Sequence, residues 1–230
     1  MPIIEIKDLI KIYNETRVPV HAVNGINLSF EKGEFSAIVG PSGSGKTTLL
    51  NILGGLDIAT SGKIYIDQED LSKFGSRELI NFRMNNIGFV FQSYNLIPVL
   101  TALENVEFIM QLQGKSKKER RERARKLLAD VGLEERMNDR PARLSGGQQQ
   151  RVAVARALAS HPKFVLADEP TANLDSKSTE NLLNIMAKLN KEEQVTFIFS
   201  THDARVVKKA RRVITIEDGM VVSDVKTANK

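Results

Sequence analysis

The run Gly40-Pro41-Ser42-Gly43-Ser44-Gly45-Lys46-Thr47 fits the spacing G-x-x-x-x-G-K-[ST], and that spacing has a chemistry. Glycines let the backbone turn where a side chain would block it, so successive N–H groups can face one anion. A helix that starts directly after the loop adds the positive end of its dipole. Lys46 brings a charge to the terminal phosphates, and the hydroxyl of Thr47 is a ligand for Mg²⁺. The flanks supply the setting the motif needs. Glu34 to Val39 (EFSAIV) reads as a short buried strand, and Thr48 to Leu53 (TLLNIL) as a helix stopped by Gly54 and Gly55. The segment predicts a nucleoside triphosphate site, with Gly40 to Thr48 as its contacts.

Two further segments carry chemistry. Phe164-Val165-Leu166-Ala167 is an apolar strand that ends in Asp168 and Glu169. A carboxylate at a buried strand tip beside a phosphate loop is where a Mg²⁺ ligand is needed, which suits Asp168. Glu169, one residue on, faces the other side of the tip and can polarise an attacking water. The second segment is Leu144-Ser145-Gly146-Gly147-Gln148, placed at the start of a helical run from Gln149 to Ala159. It has the makings of another anion-binding helix N-terminus. One chain has its own phosphate loop for one terminal phosphate. A second phosphate site therefore points to a second copy, related by a two-fold axis, with each copy completing the other's site.

The elements that must position these residues follow from hydrophobic periodicity. Ile3 to Lys7, Ile26 to Phe30 and Lys63 to Asp67 alternate apolar with polar residues and read as antiparallel strands with one wet face. Asn14 to Pro19 reads as the loop between the first two. Ser76 to Asn85 reads as helix and Ile87 to Phe91 as strand. Thr101 with Glu104, and Ser116 with Glu119, match capping boxes that open two helices ended by Gly114 and Gly132. From Gln92 to Pro162 only helices are expected. Ser176 to Lys191 is amphipathic, with Leu182, Leu183, Ile185, Met186 and Leu189 at core spacing. Thr196 to Ser200 and Val213 to Ile216 read as strands, and the tail after Val225 as frayed. Strands alternating with helices imply an α/β fold with a parallel sheet. The division expected is a core of residues 1–92 and 161–230, carrying the antiparallel sheet, with a helical insert at 93–160.

Composition narrows the partners. There is no cysteine, which excludes disulfides and thiolate metal sites and suits a reducing cytosol. The first residues, MPIIEIKDLIKIY, mix charge with apolar side chains and lack the apolar core of a secretion signal. No run is long and apolar enough to span a bilayer, so any membrane span must come from another chain. The net charge of +5 is concentrated at Lys115 to Lys126 and Lys208 to Arg212. The first cluster reads as a solvated helix face, with no interleaved aromatics for base stacking, so nucleic acid is not an expected partner. By contrast, no residue from Met84 to Leu103 is charged. An uncharged stretch in so charged a chain suggests a protected surface, a dock around Tyr94 to Leu103 for a transmembrane subunit.

Taken in order, GPSGSGKT, Gln92, LSGGQ, FVLADE, Ala172-Asn173-Leu174-Asp175 and His202 resemble the nucleotide-binding subunit of an ATP-binding cassette (ABC) transporter. The likeness runs from Ile3 to about Ser223. It implies a phosphate-loop ATPase core that binds ATP and Mg²⁺ and dimerises around two of them. It also implies roles for single residues. Tyr13 would stack on adenine. Gln92 would reach Mg²⁺ and the attacking water, with Thr47 and Asp168 as the other metal contacts. Ser145, Gly146, Gly147 and Gln148 would contact the γ-phosphate across the dimer. Asp175 would shape the contact between the two sites. Glu169, His202, Lys46 and Gln92 form the catalytic set, while His21 and His161 match no such position. Gly54 to Asp57, Phe89 to Pro98 and LSGGQQQRVA resemble the group serving macrolide exporters and lipoprotein-releasing complexes. A cell-division ATPase that regulates a membrane partner without transport is a near relative. DNA-repair ATPases share the motifs but need a long coiled coil between Gln92 and Leu144, for which there is no room. The location implied is the cytoplasmic face of the membrane, held there by the partner.

Overall fold

The structure is a computed structural model and describes residues 1–14 and 18–227. Half of the loop read between the first two strands, residues 15–17, and the last residues of the tail, 228–230, lie outside the described residues. In chain order the first elements are β1 (Ile4–Tyr13), β2 (Val20–Phe30), β3 (Phe35–Val39), α1 (Lys46–Leu53), β4 (Ser61–Ile66), β5 (Glu69–Asp70), α2 (Ser76–Asn86) and β6 (Ile87–Val90). There follow α3 (Ala102–Leu112), α4 (Lys117–Asp130), α5 (Gly146–Ala159), β7 (Phe164–Asp168) and α6 (Ser176–Glu193). The last are β8 (Thr196–Ser200), α7 (Ala204–Lys209), β9 (Arg212–Glu217) and β10 (Met220–Lys226).

Two sheets result. One has four strands in the order β2-β1-β4-β5, all antiparallel. The other has six in the order β10-β9-β3-β8-β7-β6, parallel except for β10, which runs antiparallel on β9. The parallel strands read as continuous apolar runs because both faces are covered. Alternation then sorts their side chains into two cores. Phe164 and Leu166 face α1 and the antiparallel sheet, with Ile38, Ile198 and Ile214. Val165 and Ala167 face α3 to α6, with Ala37, Phe197 and Phe199. The six-stranded sheet is thus the wall between a β-rich layer and a helical layer.

Helix boundaries follow their caps. Thr101 with Glu104 and Ser116 with Glu119 form the capping boxes expected, and Gly114 and Gly132 sit just past the ends with positive φ. α5 starts at Gly146, earlier than its periodicity indicates, because Ser145 and Gln148 form a third capping box. Helix α5 lies directly on β6. A Cβ added at Gly88 would stand 2.4 Å from the carbonyl oxygen of Ala157, so only glycine permits the contact.

Three expectations need correction. β1 and β2 run on through bulges well beyond the segments that alternate cleanly. The helix α7 and the strands β5 and β10 have no counterpart in the reading above. The tail is not frayed at Val225: β10 continues to Lys226, and Thr227 is tied to Arg211 and Ala210 by hydrogen bonds.

Both basic clusters are partly used by the fold. On α4 the Arg123 guanidinium pairs with Glu193 at 2.9 Å, and Lys126 joins it. Arg212 is nearly buried between Glu34 and Asp224 and also donates to the Ser29 carbonyl, which ties the two sheets together. Hydrogen bonds from Arg123 hold the Glu193 carboxyl at about 2, and those from Arg205 hold Asp203 at about 2. Both values lie below the roughly 4 of an unfolded carboxylate. Their contribution is full above about pH 4 and is lost as the pH falls through 2. The expected result is a urea midpoint that declines steeply between about pH 4 and 2. In Glu193→Gln the decline is shallower; an unchanged slope there would show that this pair contributes nothing.

Candidate active site

The residues singled out for chemistry gather at the carboxyl ends of the parallel strands, where open α/β sheets bind ligands. The phosphate loop follows β3, Gln92 follows β6, Asp168 ends β7 and Glu169 comes next, and His202 follows β8. Together with Val20, His21 and Ala22 of β2, the loop, Gln92, Glu169 and His202 line a cleft of about 660 Å³.

The loop's shape depends on two glycines. At Gly40 (φ 150°) an added Cβ would lie 2.0 Å from the Ile216 carbonyl oxygen, and at Gly45 (φ 97°) 2.0 Å from that of Ala22. The Lys46 side chain is buried, and its ammonium donates to the carbonyls of Gly40 and Pro41 at 2.9 and 2.8 Å. The Thr47 hydroxyl donates to Asp168 Oδ1 at 3.2 Å across the gap between α1 and β7. A hydroxyl and a carboxylate brought together beside a fixed ammonium and a helix start are a hard-oxygen set that fits Mg²⁺ next to a polyphosphate. The residues present therefore fit ATP with its metal.

Glu169 stands in the left-handed region, φ 44°, which strains a non-glycine residue and re-aims its side chain out of the strand's direction. Its backbone N–H donates to the Ser200 carbonyl at 2.9 Å. One carboxylate oxygen receives His202 Nδ1 at 2.7 Å, and the other receives the Thr201 hydroxyl at 3.2 Å. A carboxylate only accepts, so the histidine proton is assigned to Nδ1 and Nε2 is left free. His202 remains well exposed while Glu169 is largely covered.

Other candidates lie at or beyond the rim. Tyr13 is outside the cleft lining among the described residues. Its hydroxyl donates to Asp57, a bond that raises its pKa, and the Lys11 ammonium sits 4.7 Å from its ring centre. His21, for which the sequence suggests no role, lines the cleft. Only the course of β2, which brings Ala22 against Gly45, places it there. His161 precedes β7, at the opposite end of the sheet.

Ser145, Gly146, Gly147 and Gln148 do not line the cleft. They form the start of α5, with Ser145 exposed and the other three half-buried, and Ser145 Oγ accepts the Gln148 N–H. Gly146 lies under the Tyr94 hydroxyl and Gly147 against Ser178, so an added Cβ would stand 2.7 and 3.0 Å from those side-chain oxygens. Asp175 caps α6, accepting from the Ser178 N–H and hydroxyl, and those bonds lower its pKa. Sequence reasoning missed Tyr94 as a neighbour of Gly146 and Asn173, whose amide donates to the Gln92 carbonyl. Both stand in stretches the sequence marks, but no local pattern gives these contacts.

The ABC transporter family profile matches residues 23–172. An uncharacterised ABC transporter ATP-binding protein of Thermotoga maritima is 50% identical over 219 residues, 95% of this chain and 93% of that one. The macrolide export ATP-binding/permease protein MacB of Hyphomonas neptunium is 48% identical over 223 residues, 97% of this chain but 34% of that protein. A dimeric structure of the ATP-binding cassette MJ0796 of Methanocaldococcus jannaschii, in a post-hydrolysis state with ADP and Pi, has a TM-score of 0.89. That alignment has 44% identity and covers 99% of this chain and 100% of that one. The chain belongs to the ABC transporter family, as an ATP-binding, Mg²⁺-dependent ATPase subunit.

Proposed function

We propose that two copies of this chain close around two ATP·Mg²⁺, hydrolyse them, and so drive a separate transmembrane subunit of the export or lipoprotein-release type. The observation that carries the reading is the separation of Ser145 to Gln148 from the cleft. They make a capped helix start, exposed at Ser145 and apart from their own chain's cleft, and a second copy supplies the phosphate for it. The Ser145 oxygen uses a lone pair for its cap, so its proton remains free to donate outward. ADP lacks the phosphate such a contact would grip, and that differential binding is what converts hydrolysis into opening.

Within the cleft, Lys46 and the loop N–H groups hold the terminal phosphates, and Glu169 accepts the proton of the attacking water. The Nε2 of His202, an acceptor in this tautomer, positions that water, and the Gln92 amide positions the water and the phosphate. Thr47 and Asp168, joined by Gln92, would hold the metal, which neutralises phosphate charge when bound. Tyr13 bonds to Asp57 outside the cleft lining, and the adenine contact proposed for it rests on the resemblance alone.

The dock is narrower than the uncharged stretch indicates. Ala102 and Leu103 are buried and Leu96 packs on the core, whereas Val99 is 69% exposed. No helix among the described residues is long and apolar enough to cross a membrane. The MacB relative is an ATP-binding/permease protein of which this chain matches 34%, and we infer a partner equivalent to the remainder, on whose cytoplasmic side this chain sits.

The test is Ser145→Arg. The expected outcome is ATP affinity unchanged within about 2-fold, loss of ATP-dependent dimers on a sizing column, and an ATPase rate lower by about 10²-fold. Normal turnover by a monomer of this variant would end the shared-site reading.

A further inference from the structure

The Glu169 carboxylate is held by more than its histidine, and we propose that Thr201 is its positioning residue. Thr201 and Thr171 are essentially fully buried. The Thr201 backbone N–H donates to the Ile38 carbonyl at 3.0 Å, which fixes it to the strand that leads into the phosphate loop. Its oxygen accepts the Asp203 N–H at 3.0 Å. With that lone pair used, its one proton has a single ionic acceptor within reach, Glu169 Oε2. A valine of the same shape would fill the space but aim nothing.

Asp203 orients the donor. Its carboxylate caps the start of α7, takes Arg205 on both oxygens, and accepts the Thr171 hydroxyl at 2.9 Å. Thr171 stands two residues past Glu169, and the Ala172 N–H returns to the Glu169 carbonyl. The segment after β7 and the segment after β8 are therefore laced together by a closed ring of hydrogen bonds. The ring constrains a carboxylate that already occupies a strained backbone conformation. One oxygen is committed to Thr201 and the other to His202, so the carboxylate has one orientation from which to meet water. Arg205 and Asp203 act on Glu169 only through this ring.

The inference rests on the reading of Glu169 as the base, and the test separates the two. In Thr201→Val, kcat is expected to fall about 10-fold with KM unchanged, a misaimed base and not a lost site. Thr201→Ser, which keeps the hydroxyl, restores kcat to within about 3-fold. A fluorescent ATP analogue binds both variants as it binds the parent. ATP-loaded dimers of Thr201→Val persist about 10-fold longer on dilution, in step with the slowed turnover. Should Thr201→Val fail to fold, Thr171→Val carries the same test through the far side of the ring. A Thr201→Val kcat within 2-fold of the parent, or an equal loss in Thr201→Ser, overturns the proposal. If Glu169→Gln itself turns over normally, the reading beneath it fails first.

Discussion

Replacing Glu169 by Gln leaves ATP binding intact and lowers turnover by about 10³-fold, the contribution of a positioned general base. The geometry makes this substitution clean. A glutamine oxygen still accepts the Thr201 hydroxyl, and its amide can donate to His202 once the ring proton moves to Nε2. Shape and hydrogen bonds survive; the basic lone pair does not. Binding depends on residues the change does not touch, namely Lys46, Thr47 and the loop N–H groups. The variant therefore accumulates loaded, and a shift from monomer to dimer on a sizing column with ATP, absent with ADP, reports it. Steady-state phosphate release at the parental rate is the result that removes Glu169 from its role.

Gly40→Ala loses both the nucleotide and much of the stability. The site cannot relax around the new methyl, because the atom it meets at 2.0 Å is the backbone oxygen of Ile216, in a strand paired on both sides. A positive φ adds its own strain for any residue with a side chain. Together these are worth about 3–5 kcal/mol, seen as a lower urea midpoint, and binding of an ATP analogue falls below detection. Gly43 is the control: it has positive φ but open space where a Cβ would stand, so Gly43→Ala unfolds closer to the parent. Equal midpoints for Gly40→Ala and the parent would show that the loop does not depend on this contact.

The parts of the site carried by local pattern were legible in the sequence. The phosphate loop announces itself because its glycines, lysine and threonine act within one turn of chain. The strand before Asp168 is legible because both its faces are buried. Capping boxes at Thr101 and Ser116 gave the helix starts for the same reason, since a capping box lies within four consecutive residues. What failed was set by distant neighbours. β10 is mostly exposed and its alternation is diluted by Ser223, Asp224 and Lys226; its strand geometry comes from pairing with β9 and from Arg212 reaching Asp224. α7 is a short turn of helix held by the Asp203 cap, too brief for a periodic signal. His21 enters the cleft because β2 runs past the loop, and Tyr94 meets Gly146 because Arg156 on α5 holds the Tyr94 and Asn95 carbonyls. Such encounters depend on tertiary path alone.

The bare contact at Gly88 has a mechanical consequence. Since no side chain separates the Ala157 backbone from the strand that ends just before Gln92, a push on the helical layer is delivered to that strand without slack. The amide of Gln150 reinforces the joint from within, reaching the carbonyls of both Phe91 and Pro170. Helix and strand form one stiff unit, with Ser145 at the start of α5 and Gln92 just after β6 at the same end of it. Arg156 of α5 and Asn105 of α3 tie the backbone after Gln92 to the same unit, at Tyr94 and Asn95 and at Ile97 and Leu100.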